Sequence, residues 1–139
     1  MNRTLPCAAA LALALAACQA VDHRDGIERA NDHTIVVAVF NDAGGHPKIE
    51  VDVRELMIRG RDHNIFWIID NGAGQNYKFP DNGIHFKSEL GRQQFRCRKL
   101  NDKRFKCETP NTVQGRFEYG VTLDGSPRVD TLDPFIINN

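Results

Sequence analysis

No excess of either charge, no Cys-x-x-Cys spacing, no sustained helical period and no apolar run long enough to cross a bilayer characterise this sequence of 139 residues. Each absence excludes something. Lys plus Arg and Asp plus Glu number 18 each, and nothing in that balance asks for nucleic acid as a partner. Without Cys-x-x-Cys, and with no histidine beside the later cysteines, a metal-binding or redox pair is the minor alternative. Asp22 with His23, and Asp62 with His63, stand next to each other but lack a Ser or Cys partner motif, so no catalytic residue is assigned. There is no internal repeat and no low-complexity tract.

What is present begins with Arg3 and the apolar stretch Leu5 to Ala17, read as an export signal that is removed. The stretch ends in Leu15-Ala16-Ala17-Cys18, which resembles the lipobox of bacterial lipoproteins at all four positions. The resemblance implies cleavage before Cys18, lipidation of its sulfur with acyl chains such as palmitate, and an anchor of three chains. Two membrane signals already anchor stably, so three hold almost permanently. The alternative is an ordinary secretory signal in which Cys18 is incidental. Gln19 rather than Asp follows the cysteine, which by the enterobacterial sorting rule leans toward the periplasmic face of the outer membrane. The expected layout is a signal over 1–17, a polar tether over 18–32 and one domain over 33–139, about 120 residues being enough for one core and too few for two.

Of four cysteines, Cys7 leaves with the signal and Cys18 takes the lipid, so Cys97 and Cys107 remain. In an oxidising envelope compartment they are expected to pair. Between them lies the turn-like Asn101-Asp102-Lys103, and a hairpin centred on Asp102 sets the two cysteines opposite each other.

Thr34 to Phe40 is a β-branched run, apolar on both faces, followed by the turn cluster Asn41-Asp42-Ala43-Gly44-Gly45. Ile49, Val51 and Val53 alternate with Glu50, Asp52 and Arg54, the period-two pattern of a half-buried strand, with Leu56 to Arg59 as a continuation beyond a bend. Asn64 to Ile69 is the most apolar stretch and predicts a central strand with Trp67 as core anchor. Gly72 to Gly83 reads as a long surface loop with Tyr77 and Phe79 tucked in, and Ile84 to Ser88 as a short strand. Phe95, Cys97, Phe105 and Cys107 face inward by period two, leaving Arg96, Arg98, Arg104 and Lys106 outward. Phe117 to Leu123 and Phe135 to Ile137 supply the last strands. Many short strands between Gly/Pro/Asn turns predict an all-β sandwich or barrel.

With the strands placed, the chain resembles a cupredoxin-like domain, the Greek-key β-sandwich of plastocyanin and its relatives; an immunoglobulin-like sandwich is the alternative. The likeness rests on Ile49 to Asp52, Ile58-Arg59-Gly60-Arg61-Asp62, Ile65-Phe66-Trp67, Tyr77-Lys78-Phe79-Pro80 with Gly83-Ile84, and Gly115 to Leu123. It implies the fold. Copper members hold the metal with an early His and a late Cys followed by His and usually Met, soft thiolate and imidazole suiting copper. Here Cys107 leads into Glu108-Thr109-Pro110-Asn111, with no late His or Met, so no metal ligand and no cofactor is assigned.

The histidines, His23, His33, His46, His63 and His85, are read as satisfied or exposed side chains, a surface metal site from two of them being the minor alternative. Between Lys87 and Lys106 stand Lys87, Arg92, Arg96, Arg98, Lys99, Lys103, Arg104 and Lys106 against Glu89 and Asp102. That basic hairpin is either a solvated edge that discourages strand pairing or a docking surface, with Arg98, Lys103 and Arg104 as partner-binding candidates. Lys48, Arg116 and Arg128 are candidates to extend it. The expected function is a lipid-anchored, non-catalytic envelope domain for protein binding or assembly, its partner an envelope protein; the alternative is a metal-binding or electron-carrying protein of cupredoxin type.

Overall fold

The computed structural model describes residues 31–139; Cys18, the signal and most of the expected tether lie outside the described residues. The domain is an all-β sandwich of two mixed sheets. Strands β1 (Asp32–Asn41), β2 (Pro47–Val51), β4 (His63–Ile69), β7 (Arg96–Asn101) and β8 (Arg104–Thr109) form one sheet in the order β2-β1-β4-β8-β7. Strands β3 (Glu55–Ile58), β6 (Ile84–Phe86), β9 (Gly115–Val121) and β11 (Phe135–Asn138) form the other in the order β3-β11-β9-β6. A small ribbon joins β5 (Tyr77–Lys78) to β10 (Asp124–Gly125). Two pairings are parallel, β1 with β4 and β3 with β11, so each sheet contains strands delivered by long crossovers.

Alternation decides which face is buried. Along β4 the residues His63, Ile65, Trp67 and Ile69 are buried while Asn64, Phe66 and Ile68 are half-buried on the opposite face. These inward residues meet Ile58, Phe117, Tyr119, Val121 and Ile136 from the second sheet. Trp67 sits at the centre, fully buried, its ring edge-on to Tyr119 at 5.3 Å, and its Nε1–H donates to Tyr119 Oη at 3.2 Å. The buried indole N–H thus has an acceptor, without which its burial would cost about 1–3 kcal/mol. Burial pushes the Tyr119 phenol above its ordinary range, so it stays protonated.

Two expectations need correction. One helix exists, α1 (Glu89–Gln94), where none was expected. It is too short to display a period, but Ser88 caps it, accepting from Gly91 N at 3.0 Å, and Gly91 lets the turn lie against Phe86. The helix delivers Phe95 onto Phe86, ring centroids 4.0 Å apart and nearly coplanar. Ile84 to Ser88 is accordingly strand only to Phe86. The other correction concerns β1, whose apolar residues do not all enter the core. Ile35 and Val37 are fully buried, whereas Val36 is 39% and Phe40 55% exposed.

The long loop behaves as expected at its anchors: Tyr77 and Phe79 are buried, and Tyr77 Oη donates to Pro127 O at 2.5 Å. The expected continuation of β2 beyond a bend is β3, which crosses to the second sheet.

Candidate functional site

The β7–β8 hairpin carries the candidate residues. Its strands pair with Cys97 opposite Cys107, the arrangement a turn centred on Asp102 requires, and a disulfide joins them with Cα atoms 4.0 Å apart. On the chain-entropy model such a loop contributes about 2–3 kcal/mol. Phe105 and Cys107 are buried, Cys97 is half-buried against the core, and Arg96, Arg98 and Arg104 are exposed. Bonded to Cys97, Cys107 offers no thiolate to a metal.

The basic patch is narrower than its sequence count suggests. Lys103, expected to face a partner, turns back instead: its Nζ donates to the carbonyls of Gly74 and Gln75, each at 3.0 Å, and to that of Tyr77. An irregularity between Lys99 and Asn101 breaks the alternation there, and the turn folds over the 74–77 loop. Lys103 is therefore a structural clasp and leaves the docking set. Lys87 pairs with Asp133 at 2.7 Å and Glu118 at 3.1 Å, raising its pKa chiefly through the Asp133 hydrogen bond. Lys99 binds Asp102 at 2.8 Å, and its hydrogen bond lowers that carboxyl's pKa; Lys106 does the same to Glu108 at 2.6 Å. Arg92 donates to the Lys87 carbonyl at 2.7 Å. Arg98 and Arg104 make no ion pair among the described residues. Arg116 belongs to the other sheet, bound to Glu55 at 2.6 Å, and Arg128 lies in the loop before β11; neither extends the hairpin.

What lies beside Arg98 and Arg104 was not anticipated. The outward face of the five-stranded sheet carries Val36, Ala38 and Phe40 from β1 and Phe66 and Ile68 from β4. Lys106 Nζ and Arg104 Cζ stand 5.6 and 5.9 Å from the centroid of the Phe66 ring. The combination is an apolar strip, open at Val36 and Phe40, with a cationic margin. The outward face of the four-stranded sheet leaves Met57 half exposed but covers its aromatic ring. There Arg116 lies 3.5 Å above the Phe135 ring while holding Glu55, and His85 packs over Gly120, where any Cβ would meet the imidazole at 2.4 Å.

A second feature is a polar cleft of about 590 Å³ at the start of β1 and β4, lined among others by Asp32, His63, Arg96 and Glu108. His33 and His63, thirty positions apart, meet because β1 and β4 run parallel with His33 opposite Ile65. Their Nε2 and Nδ1 atoms are 3.0 Å apart. The His63 Nε2 faces the carbonyls of Arg59 at 2.9 Å and Gly60 at 3.2 Å, which only accept, so it carries the proton. His63 Nδ1 is then the acceptor of the His33 Nε2–H. The pair thereby ties the 59–62 turn, in which Gly60 and Asp62 have positive φ, to the sheet. Of the other histidines, His46 is exposed beside Asp42 at 3.4 Å, and His23 lies outside the described residues. Among the described residues no three His, Cys, Asp or Glu are grouped to hold a metal ion.

No protein-family model matches the chain, and no curated protein sequence matches it either.

Proposed function

We propose that this protein is a lipid-anchored, non-catalytic domain of the bacterial cell envelope, on the periplasmic face of the outer membrane, that binds or assembles with another protein. The observation that carries the binding reading is the outward face of the five-stranded sheet, where Val36 and Phe40 stay exposed on the same face as Arg98 and Arg104, which make no ion pair among the described residues. A solvated edge strand needs charge but no neighbouring apolar strip, so the composition supports docking. The Cys97–Cys107 bond suits an oxidising compartment, in line with the export signal. The anchor rests on Leu15-Ala16-Ala17-Cys18, whose resemblance to a lipobox makes Cys18 the acyl acceptor. A cupredoxin-type ancestry without copper chemistry suits the sandwich and its two parallel pairings.

Metabolic labelling with a palmitate analogue tests the anchor. The parent protein takes the label and Cys18→Ala does not; equal labelling of both would overturn the lipoprotein reading.

A further inference from the structure

Two asparagines in the chain precede a glycine, Asn71 before Gly72 and Asn82 before Gly83, and the fold treats the two pairs in opposite ways. An asparagine in that position loses its amide without an enzyme when the next backbone nitrogen can reach its side-chain carbon, a path that glycine leaves clear because it has no Cβ. The nitrogen must also be free to turn.

At the second pair it is not. Gly83 is buried, and both polar groups of the peptide joining it to Asn82 are engaged: Gly83 N donates to Pro80 O at 3.0 Å, and Asn82 O accepts from His85 Nδ1 at 3.1 Å. Gly83 O accepts from Thr122 N at 2.8 Å, and a Cβ at position 83 would lie 2.8 Å from the Phe79 ring. Asn71 and Gly72 are exposed instead. They form the crest of a turn begun by Asp70, whose Oδ2 accepts from Ala73 N at 2.9 Å and so spans them without engaging Gly72 N. Among the described residues neither Gly72 N nor the Asn71 side chain makes a hydrogen bond.

We infer that Asn71 is a site of spontaneous modification, converted to aspartate and isoaspartate, and that Asn82 is protected from the same reaction by the fold. Gly72 N gives its proton to water and attacks Asn71 Cγ. The new N–C bond closes an imide ring, and the side-chain nitrogen takes up protons from water and leaves as ammonia. Water then opens the imide at one carbonyl carbon or the other, so the sum is asparagine plus water giving an acid plus ammonia, with no oxidant and no further reactant. Both products add a negative charge beside Asp70. The isoaspartyl product also routes the main chain through the former side chain, which puts an extra methylene inside the turn from Asp70 to Ala73. The loop stays attached beyond that point, because Ala73 O accepts from Val39 N at 2.6 Å and Lys103 Nζ holds the carbonyls of Gly74 and Gln75. The sandwich therefore survives the change.

The test incubates the full-length protein in detergent at mildly alkaline pH and digests samples with trypsin, which cuts after Arg61, Lys78 and Lys87 and so places the two pairs on separate peptides, 62–78 and 79–87. Mass spectrometry should find the acid form accumulating in 62–78 at least about tenfold faster than in 79–87, the factor expected when one buried hydrogen bond must first be broken. Fragment spectra should place it at position 71, with isoaspartate present. In the urea-unfolded chain the two rates should converge. Gly72→Ala should slow the reaction severalfold and still fold, since its Cβ would meet Asp70 Oδ2 at an ordinary 3.5 Å. Equal rates in the folded protein, acid formed at Asn64 or Asn76 instead, or a Gly72→Ala variant that reacts as fast as the parent would each overturn the assignment of Asn71. A difference that persists in urea would overturn protection of Asn82 by the fold.

Discussion

The two sheets differ in which side chains their outward faces leave open: Met57 on the four-stranded sheet, Val36 and Phe40 on the five-stranded one. On the four-stranded sheet Glu55 holds Arg116, Arg116 covers Phe135, and Lys87 joins Glu118 to Asp133. On the five-stranded sheet Val36 and Phe40 lie open, and Arg98 and Arg104 have no carboxylate among the described residues. Both sheets bury their inward faces equally well, so the difference is not one of folding. An outward face that satisfies its own charges and covers its own aromatic ring gains little from a partner, because the partner must first displace those contacts. On the proposed function, the face with Val36 and Phe40 open is the one where a partner would bury apolar area.

The comparison is broken most severely from inside. Trp67→Ala removes the side chain on which both sheets close and strands the Tyr119 hydroxyl, so a loss of about 3–5 kcal/mol is expected. Against a total of about 5–15 kcal/mol for a domain, chemical denaturation should show a much earlier midpoint or no native baseline. Binding assays on that variant would report unfolding.

A sharper version uses adjacent lysine and arginine. Lys103→Glu leaves the carbonyls of Gly74, Gln75 and Tyr77 without their donor and places a carboxylate against them, an expected cost of about 1.5–3 kcal/mol. Arg104→Glu should stay within about 0.5 kcal/mol, as surface substitutions do. Paired urea melts of the two variants decide this, and equal melts would mean that the clasp contributes nothing. Only Arg104→Glu then reports on docking.

The smallest expected effect is at high pH. Because burial raises the Tyr119 pKa in the folded state, its contribution is complete below the unfolded value of 10.0 and is lost as pH rises above it. Stability should therefore decline progressively in alkaline solution. In Tyr119→Phe that component disappears, leaving a lower but flatter profile, since Trp67 Nε1 has lost its acceptor. A parent whose stability is constant above pH 10 would contradict the assignment.

Much of this was readable before any coordinates. β2, β4 and the hairpin follow from period two, and Cys97 opposite Cys107 follows from the position of Asp102. Lys103 was misplaced because its acceptors lie in a loop nearly thirty residues away, and alternation carries no information across a turn. α1 was invisible because six residues make less than two turns, and a period needs more. The His33–His63 contact depends on parallel pairing between β1 and β4. Such pairing is set by a crossover whose landing register no local pattern records.

That same pairing governs how a tethered domain bears load. The described chain enters the sandwich at β1, whose first half, Asp32 to Val37, is paired with β4 and whose second half, Val37 to Asn41, is paired with β2. A pull along the strand from its N-terminal end therefore loads the parallel bonds to β4 in shear, several at once, before it reaches the bonds to β2. The parallel pairing thus makes the N-terminal edge of the sandwich resist a load as a group of bonds, where a frayed antiparallel end would yield one bond at a time.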